Sequence, residues 1–440
     1  MRFKKKALLD MIATLEQAND LIGSRHGNSM AGAIDTLTQC QEAAVVIGNH
    51  METQGEKGAA IVGILENYCE NIYQMSLTLG DEAQCRKTAK KIKKELAAVK
   101  NRILYDLPDD KKEIVFLPYK ASMWDSLESV WKKASEDESC ETYVIPIPYF
   151  DKNPDGSLGE MHYEGAEYPD YVPVTSWREY SFADRRPDIV YIHNPYDENN
   201  YVTSVHPAFY AKELKKYTDM LIYIPYFVCI NDQVRDEFCV QPGVAYADKV
   251  ILQSEKVREA YIEIYHRWED EMGFRDQLGK AEEKFLALGS PKFDKVESVK
   301  KEDFELPSEW RRLIEQEGGS DRKVVLYNTA IGAMLQDCEK MLAKIHDVLQ
   351  VFRSQRDVVL LWRPHPLLGA TLRSMREEYA QEYDGIVQRY KEEGWGIYDD
   401  SVDLYRAIAV SDAYYGDNSS VVELYKRTGK PIMVQNVSVR

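Results

Sequence analysis

From residue 111 onward, the chain alternates between short apolar runs and segments with helical periodicity. Runs of strand length, most of them rich in β-branched or aromatic residues, lie at 114–118, 142–150, 189–193, 220–227, 249–253 and 285–289. Helix candidates separate several of them, at 122–134, 208–217 and 254–268. Strands that alternate with helices predict a parallel sheet that is covered by helices on both faces.

The same alternation begins again after a charged segment, 306–321, which we interpret as a linker. Strand-length runs and helix candidates then follow in turn, at 324–328, 338–352, 358–362, 372–383, 396–398, 413–415, 421–428 and 431–434. We therefore predict an α/β fold with two doubly wound, Rossmann-like domains, 111–305 and 306–440, that face a cleft. Ligands of such sheets bind at the carboxyl ends of the strands, so the cleft is where we expect chemistry.

The first part of the chain has a different pattern. Apolar residues recur at steps of three and four, without strand-like alternation and without a proline before Pro108. This pattern predicts an all-helical N-terminal region, 1–110, with breaks near 23–27 and 55–58.

Composition and charge exclude several classes of function. The formal net charge of −17 and the pI near 5.1 argue against a protein that tracks a nucleic-acid backbone. No apolar run reaches the roughly 18 residues of a membrane span, and the basic start does not lead into the apolar core of a signal peptide. The seven cysteines have no CxxC spacing, so we predict no disulfide framework, no metal and no cofactor.

These features predict a cytoplasmic protein. Lysines cluster at 4–6 and 90–94. Such runs suit peripheral contact with the anionic inner face of the cell membrane, although solvated helix faces carry them as well.

Two residues after the run 358–362 are candidates for binding an anion. Arg363 and His365 stand on either side of a proline, which keeps the backbone extended, so both side chains can project from the same side. A guanidinium is planar and permanently charged, and it is a natural partner of a diphosphate. The alternative is a structural ion pair of Arg363 with an acidic neighbour.

A second polar segment follows the run 413–415. Asp417, Asn418, Ser419 and Ser420 are residue types that cap the start of a helix with side-chain oxygens. A helix start at the end of a strand can also bind an anion. The segment is therefore either a phosphate site or simply a well-capped strand–helix unit. In the first domain, His193 ends the run 189–193, and Asp197 and His206 follow it.

Several of these residues belong to a larger pattern. It consists of Arg363-Pro364-His365-Pro366, Asp403-Leu404-Tyr405, Ser411-Asp412-Ala413, Asp417-Asn418-Ser419-Ser420-Val421 and Gly429-Lys430-Pro431-Ile432, together with Gly289-Ser290-Pro291 and Asp294. The pattern resembles the signatures of the CDP-glycerol glycerophosphotransferase family, whose members build or prime teichoic-acid-type polymers. The resemblance covers roughly 113–434 and implies a GT-B-like architecture, with the acceptor bound by the first domain and the nucleotide donor by the second.

The resemblance also implies a reaction. An acceptor hydroxyl on a polyol phosphate, glycan or lipid-linked cell-wall precursor attacks the β-phosphorus of CDP-glycerol, and CMP leaves. His193 is the first candidate for the base that accepts the hydroxyl proton, and His206 is the second. Asp197 is placed to orient either histidine. Where the family commonly has His-Gly, this chain has His193-Asn194, so the acceptor is left open.

The donor site implied by the resemblance lies in the second domain, at Arg363, His365, Asp417, Asn418, Ser419, Ser420 and Glu423. The hydroxyls of Ser419 and Ser420 would hold the diphosphate, and Arg363 and His365 would oppose its charge. Glu423 is placed like the acidic residue that holds ribose hydroxyls in GT-B transferases. The family commonly has Asp-Tyr-Ser-Ser where this chain has Asp-Asn-Ser-Ser, a change that keeps the capping chemistry.

Two other functions fit the same fold. The loop Gly416–Ser420 also resembles the Gly-Asp-Ser loop of UDP-sugar 2-epimerases, so the chain could act on a sugar nucleotide, as a glycosyltransferase or an epimerase. It could also be a non-catalytic protein that binds a nucleotide and recruits partners through its helical region.

Overall fold

A computed structural model describes residues 4–24, 30–316, 320–401 and 403–435. The chain forms two compact units, Met1–Lys112 and Glu113–Arg440. Among the described residues, no helix is long and apolar enough to cross a membrane. The three-region division at 110 and 305 stays a prediction.

The described residues of the first unit form four long helices: α1 (Lys5–Ser24), α2 (Met30–Glu52), α3 (Gly55–Leu77) and α4 (Glu82–Tyr105). Their apolar stripes form one core, in which Ile12, Ile47, Ile61 and Ile92 have no exposed surface. The prediction of an all-helical N-terminal region is confirmed, as is the break before α3. The other predicted break, near 23–27, lies largely outside the described residues.

The second unit begins with a six-stranded sheet. Its strands are β1 (Lys112–Leu117), β2 (Cys140–Val144), β5 (Ile189–Ile192), β7 (Met220–Tyr223), β8 (Lys249–Leu252) and β9 (Phe285–Ala287), in the order β2-β1-β5-β7-β8-β9. Strands β1, β5, β7, β8 and β9 pair in parallel. The helices around this sheet are α5 (Glu128–Ser135), α6 (Phe182–Arg185), α7 (Ala211–Leu214), α8 (Asp236–Cys239), α9 (Pro242–Tyr246), α10 (Glu255–Met272), α11 (Ala281–Lys284) and α12 (Pro291–Ser298).

One predicted strand, 142–150, is wrong. The run contains two strands, β2 and β3 (Tyr149–Lys152), because Pro146 and Pro148 lack the amide hydrogen that a continuous strand would donate. Strand β3 belongs to a separate antiparallel sheet that the sequence did not predict, with β4 (Leu158–His162) and β6 (Thr203–Val205), in the order β4-β3-β6.

The second sheet is parallel throughout. Its strands are β10 (Lys323–Thr329), β11 (Val358–Pro364), β12 (Ile397–Tyr398), β13 (Ala413–Gly416) and β14 (Ile432–Val434), in the order β12-β11-β10-β13-β14. The helices around it are α13 (Ser308–Ile314), α14 (Ile331–Gln336), α15 (Cys338–Arg353), α16 (Leu368–Met375), α17 (Glu377–Glu393), α18 (Leu404–Val410) and α19 (Ser420–Lys426). The predicted helix 372–383 is two helices, because the backbone of Arg376, with φ −150° and ψ 57°, is not helical.

Apolar clusters lie on both faces of this second sheet. On one face, Leu326, Val359 and Tyr414 pack beneath α18 and α19; on the other, Leu360 and Trp362 pack beneath α15 and α17. The predicted fold class, α/β and GT-B-like with two Rossmann-like domains after a helical region, is confirmed.

A glycine at the end of β13 is required by its surroundings. Gly416 has φ +145°, and a Cβ atom built on it would lie 2.2 Å from the carbonyl oxygen of Asn328 on β10. We expect Gly416→Ala to lower the free energy of unfolding by about 1–3 kcal/mol, because the strands must move apart to admit the methyl group.

The control is Gly385→Ala in α17, where no atom would lie within 4 Å of the new Cβ. An alanine in an exposed helix interior should raise the stability by up to about 1 kcal/mol. Denaturant unfolding of both variants checks the prediction. The prediction is wrong if the two substitutions change the stability in the same direction.

Candidate functional site

The carboxyl edge of the second sheet is centred on β10. Asn328 pairs with Arg363 on one side and with Gly416 on the other. Its side-chain nitrogen donates to the carbonyl oxygen of Arg363 at 3.0 Å, and its side-chain oxygen accepts from the hydroxyl of Ser419 at 2.9 Å. One buried amide therefore joins the two loops that carry the predicted donor-site residues.

Arg363 does not face solvent. Its guanidinium is buried, forms an ion pair with Asp399, which follows β12, and donates to the carbonyl oxygen of Ser401 at 2.8 Å. This geometry is the structural ion pair that the sequence left open as the alternative to diphosphate binding. The guanidinium holds the loop after β12 against β11, and we do not propose it as a phosphate ligand.

His365 is exposed at the end of β11. Its backbone N–H donates to the carbonyl oxygen of Thr329 at 2.9 Å, and its Nδ1 accepts from the backbone N–H of Leu367 at 3.1 Å. The surrounding protein lowers the pKa of the imidazole by desolvation, so the ring is neutral at pH 7. With Nδ1 as an acceptor, the proton of the neutral ring is on Nε2, which is a hydrogen-bond donor.

Asp417 is buried, with 1% of its surface exposed. One carboxylate oxygen accepts from Nζ of Lys344 at 2.6 Å, and the other accepts from the backbone N–H of Ala330 at 2.8 Å. Burial raises the pKa of this carboxyl group, and Lys344 opposes that shift. Asp417 therefore holds the loop after β13 in place, and its buried carboxylate is not accessible to a ligand.

The next three residues differ in exposure. Ser419 is the N-cap of α19: its Oγ accepts from the backbone N–H of Val421 at 3.2 Å and donates to Asn328. Asn418 and Ser420 are exposed. The amide of Asn418 and the hydroxyl of Ser420 are the groups of this segment that a ligand can reach.

Glu423 connects α19 to the loop after β7. Its carboxylate accepts from the backbone N–H of Asn231 at 2.9 Å and from Nζ of Lys426 at 2.9 Å. Asn231 and Asp232 follow β7 and have φ of 50° and 57°, a left-handed backbone that costs free energy in residues other than glycine. The carboxylate that was predicted to hold ribose thus contacts a strained loop of the first domain.

His193 is completely buried at the end of β5. Its Nε2 accepts from the backbone N–H of Tyr119 at 3.0 Å, and its Nδ1 lies 2.9 Å from Oγ of Ser126. Nδ1 therefore carries the proton of the neutral ring. Both nitrogens are engaged away from solvent, and this geometry argues against His193 as the base.

His206 and Asp197 form their hydrogen bonds with residues other than His193. Nδ1 of His206 accepts from the backbone N–H of Ala208 at 3.2 Å, and its ring packs near Trp177. Asp197 is 3% exposed and accepts from the backbone N–H of Ala211 at 2.7 Å. Burial raises the pKa of Asp197 to about 8, so it is mostly protonated at pH 7.

The burial of His193 makes stability depend on pH. Burial lowers the pKa of His193 to about 3 in the folded protein, while an unfolded histidine titrates near about 6.5. Below that pH the unfolded chain binds a proton that the folded chain does not. We therefore expect His193 to lower the free energy of unfolding by about 1.4 kcal/mol for each pH unit below 6.5.

Urea unfolding of wild type and His193→Asn between about pH 6.5 and 4.5 checks this expectation. Asparagine keeps a donor and an acceptor but does not titrate, so its stability should fall less steeply with acid. His346→Asn, at an exposed site on α15, is the control. Equal slopes for wild type and His193→Asn would contradict the assignment.

Three residues of this site were missed by sequence reasoning: Asn328, Lys344 and Asp399. Asn328 is the last residue but one of β10 and Asp399 follows β12, so both lie near strand ends like the residues that were predicted. That signal was available in the sequence. Lys344 lies inside α15, and nothing in its local sequence indicates that it reaches Asp417.

The accessible groups of this edge are hydrogen-bond donors suited to phosphate oxygens: the Nε2–H of His365, the amide of Asn418 and the hydroxyl of Ser420. Strands β11 and β13 both flank β10, so His365 and Asn418 stand about two strand spacings, or about 10 Å, apart. In the described part of the chain, no group of three or more His, Cys, Asp or Glu side chains could hold a metal ion.

No protein-family model and no curated protein sequence matches the chain. Solved structures that resemble it include the UDP-GlcNAc 2-epimerase of Methanocaldococcus jannaschii in complex with UDP-GlcNAc and UDP, at 10% identity over 74% of this chain and 83% of that one, with a TM-score of 0.42. The epimerase of Neisseria meningitidis bound to UDP-GlcNAc has 10% identity over 74% and 84%, with a TM-score of 0.39. The wall teichoic acid polymerase TagF soaked with CDPG has 18% identity over 76% and 74%, with a TM-score of 0.37. Values this low say nothing about activity.

Proposed function

We propose that the chain is a transferase that moves glycerol phosphate, or a related polyol phosphate, from a CDP-linked donor to a hydroxyl of a cell-wall or glycan acceptor. The bond between the two phosphates of the donor breaks, the acceptor oxygen forms a bond to the β-phosphorus, CMP leaves, and the proton of the acceptor hydroxyl passes to solvent. Such a reaction needs positioned donors and charge stabilisation more than a covalent intermediate.

One observation carries the proposal. His365, Asn418 and Ser420, three exposed polar residues of the family-like pattern, stand on both sides of the end of β10 at the carboxyl edge of a parallel sheet. In this proposal, Nε2–H of His365 donates to the β-phosphate, and Asn418 and Ser420 bind the oxygens of the other phosphate. The contacts of Asn418 and Ser420 are strengthened as charge moves onto the leaving CMP, and the contact of His365 stabilises the charge on the transferred phosphoryl group in the transition state.

Glu423 has a second role in the proposal. The ribose hydroxyls of the donor would take the place of the Asn231 N–H on its carboxylate. Donor binding then separates the loop after β7 from α19 and relieves the strained backbone at 231–232. The ion pair of Arg363 with Asp399 holds the loop after β12 in place, and the ion pair of Asp417 with Lys344 holds the loop after β13.

The acceptor side of the proposal rests on the first sheet of the second unit. His193 is buried with both nitrogens engaged, Asp197 is mostly protonated at pH 7, and Nδ1 of His206 is already an acceptor. The proposal therefore assigns the role of base to none of the three in this arrangement.

A donor screen tests the function. Purified chain is incubated with CDP-glycerol, CDP-ribitol, UDP-GlcNAc or UDP-glucose and a polyol-phosphate acceptor, and the released nucleotide is identified by chromatography. We expect CMP from a CDP-linked polyol. Release of UDP alone, or conversion of UDP-GlcNAc to its 2-epimer, would replace the proposal with a sugar-nucleotide enzyme, and binding without turnover would replace it with a nucleotide-binding protein.

A further inference from the structure

The helical first unit has an open groove between α2 and α3. Residues at steps of three and four line it, from 41 to 52 on α2 and from 62 to 73 on α3. The cavity is about 550 Å³ in volume, and its length of about three helical turns corresponds to about 16 Å. Gly48 forms a shallow floor on α2, since it has no side chain and an added Cβ would meet nothing within 4 Å.

The groove borders the core of the unit, since Ala44 and Leu65 in its lining are buried, but it also includes apolar residues that stay exposed. The buried stripe of α2 includes Leu37, Ile47 and Met51. Val45 lines the groove and is 52% exposed, and Tyr73 on the opposite wall is 51% exposed. Exposed apolar surface that adjoins a groove is typical of a binding site for another polypeptide.

The charges around the groove restrict what can bind there. Helices α2 and α3 together carry six carboxylates and a single lysine, whereas α4 carries eight lysines and arginines and only two glutamates. Glu52, Glu66 and Glu70 lie in the groove lining, and all three are exposed. This rim repels an anionic membrane and also the same face of a second copy, and it attracts a cationic partner.

We propose that the groove between α2 and α3 docks an amphipathic helix of another protein, about three turns long, whose apolar stripe is flanked by lysines or arginines. Apolar side chains of that helix pack onto Val45, Gly48 and Tyr73, and its basic side chains pair with Glu66 and Glu70. This is the helix-in-groove mode of recognition, in which apolar anchors recur at steps of three and four.

The probe is a labelled synthetic helical peptide of about 14 residues, with leucines at steps of three and four and lysines beside them, and the measurement is fluorescence anisotropy with the full chain. An otherwise identical peptide with glutamates in place of the lysines is the charge control. We expect saturable binding of the basic peptide, together with slower alkylation of Cys69, a half-buried thiol in the groove lining. The acidic peptide should not bind.

Two pairs of variants locate the site. Gly48→Leu puts a side chain into open space within the groove and should abolish binding, whereas Ala60→Leu, exposed on α3 outside the groove, should not. Reversing Glu66 and Glu70 to lysine should weaken binding by about tenfold or more, whereas Asp35→Lys, exposed on α2, should leave it unchanged. Circular dichroism confirms that each variant is helical.

Several results would overturn the inference. They are equal binding of the acidic and basic peptides, full binding by Gly48→Leu, and no binding of the basic peptide by the wild type. Self-association of the chain that Gly48→Leu removes would assign the groove to a second copy, and it would also overturn the inference. None of these outcomes depends on the proposed transferase activity.

Discussion

Replacing Lys344 with methionine is expected to lower the free energy of unfolding by about 3–5 kcal/mol, because it leaves the buried carboxylate of Asp417 without its partner. Nζ of Lys344 lies 2.6 Å from that carboxylate, and the two side chains are 5% and 1% exposed. Removing one member of a buried ion pair costs far more than the pair contributes, since the remaining charge cannot be solvated. Urea unfolding at pH 7 measures the change.

Two further variants separate the ion pair from other effects. The double variant Lys344→Met, Asp417→Asn should recover most of the loss, because no charge is then left buried. Lys340→Met removes a lysine of the same helix whose ion pair with Asp337 is on the surface, and it should change the stability little. If Lys344→Met is as stable as Lys340→Met, Asp417 is not the buried support of the loop that we describe.

The second large effect is expected in catalysis. His365→Ala should lower the rate of CMP release from a CDP-linked polyol by about 10²–10³-fold, the effect of removing one positioned donor from developing charge. The fold should be retained, because the imidazole is exposed and accepts a hydrogen bond only from the backbone N–H of Leu367 among the described residues. Initial rates at saturating donor measure this loss.

The matched controls for this prediction are His365→Gln and His346→Ala. Glutamine restores an N–H donor, so it should recover part of the rate, and His346 is exposed on α15 away from the sheet edge. Because Nε2 of neutral His365 already carries a proton, wild-type rates should not require protonation of this ring near pH 7. Full activity of His365→Ala would remove His365 from the site.

The fold could be predicted from the sequence because its two sheets are built from apolar runs of strand length. Where the prediction failed, other forces decide the structure. Strands β3, β4 and β6 pair as a small antiparallel sheet, and their exposed positions include Asp151 and Met161, so the alternation was too weak to recognise. The break at Arg376 between α16 and α17 contains no proline or glycine, so the sequence did not indicate it.

The candidate site was located by the same reasoning, and its location stays a prediction, whereas the contacts of its residues could not be predicted. Whether Arg363 meets a ligand or a carboxylate depends on Asp399, which is distant in sequence and is brought close only by the pairing of β12 with β11. His193 appeared accessible because it ends a strand, yet the segment after β1 covers it with Tyr119 and Ser126. Contacts of this kind depend on packing between elements, which periodicity does not encode.

The central claim is that a nucleotide diphosphate binds at the carboxyl edge of the second sheet, across the end of β10. A crystal structure of the chain with CDP-glycerol or CMP tests it most directly. The account predicts phosphate oxygens within hydrogen-bonding distance of Nε2 of His365 and of Asn418 or Ser420, with the ribose at Glu423 in place of Asn231. Nucleotide bound at any other place, with His365 and Ser420 still exposed to solvent, would contradict it.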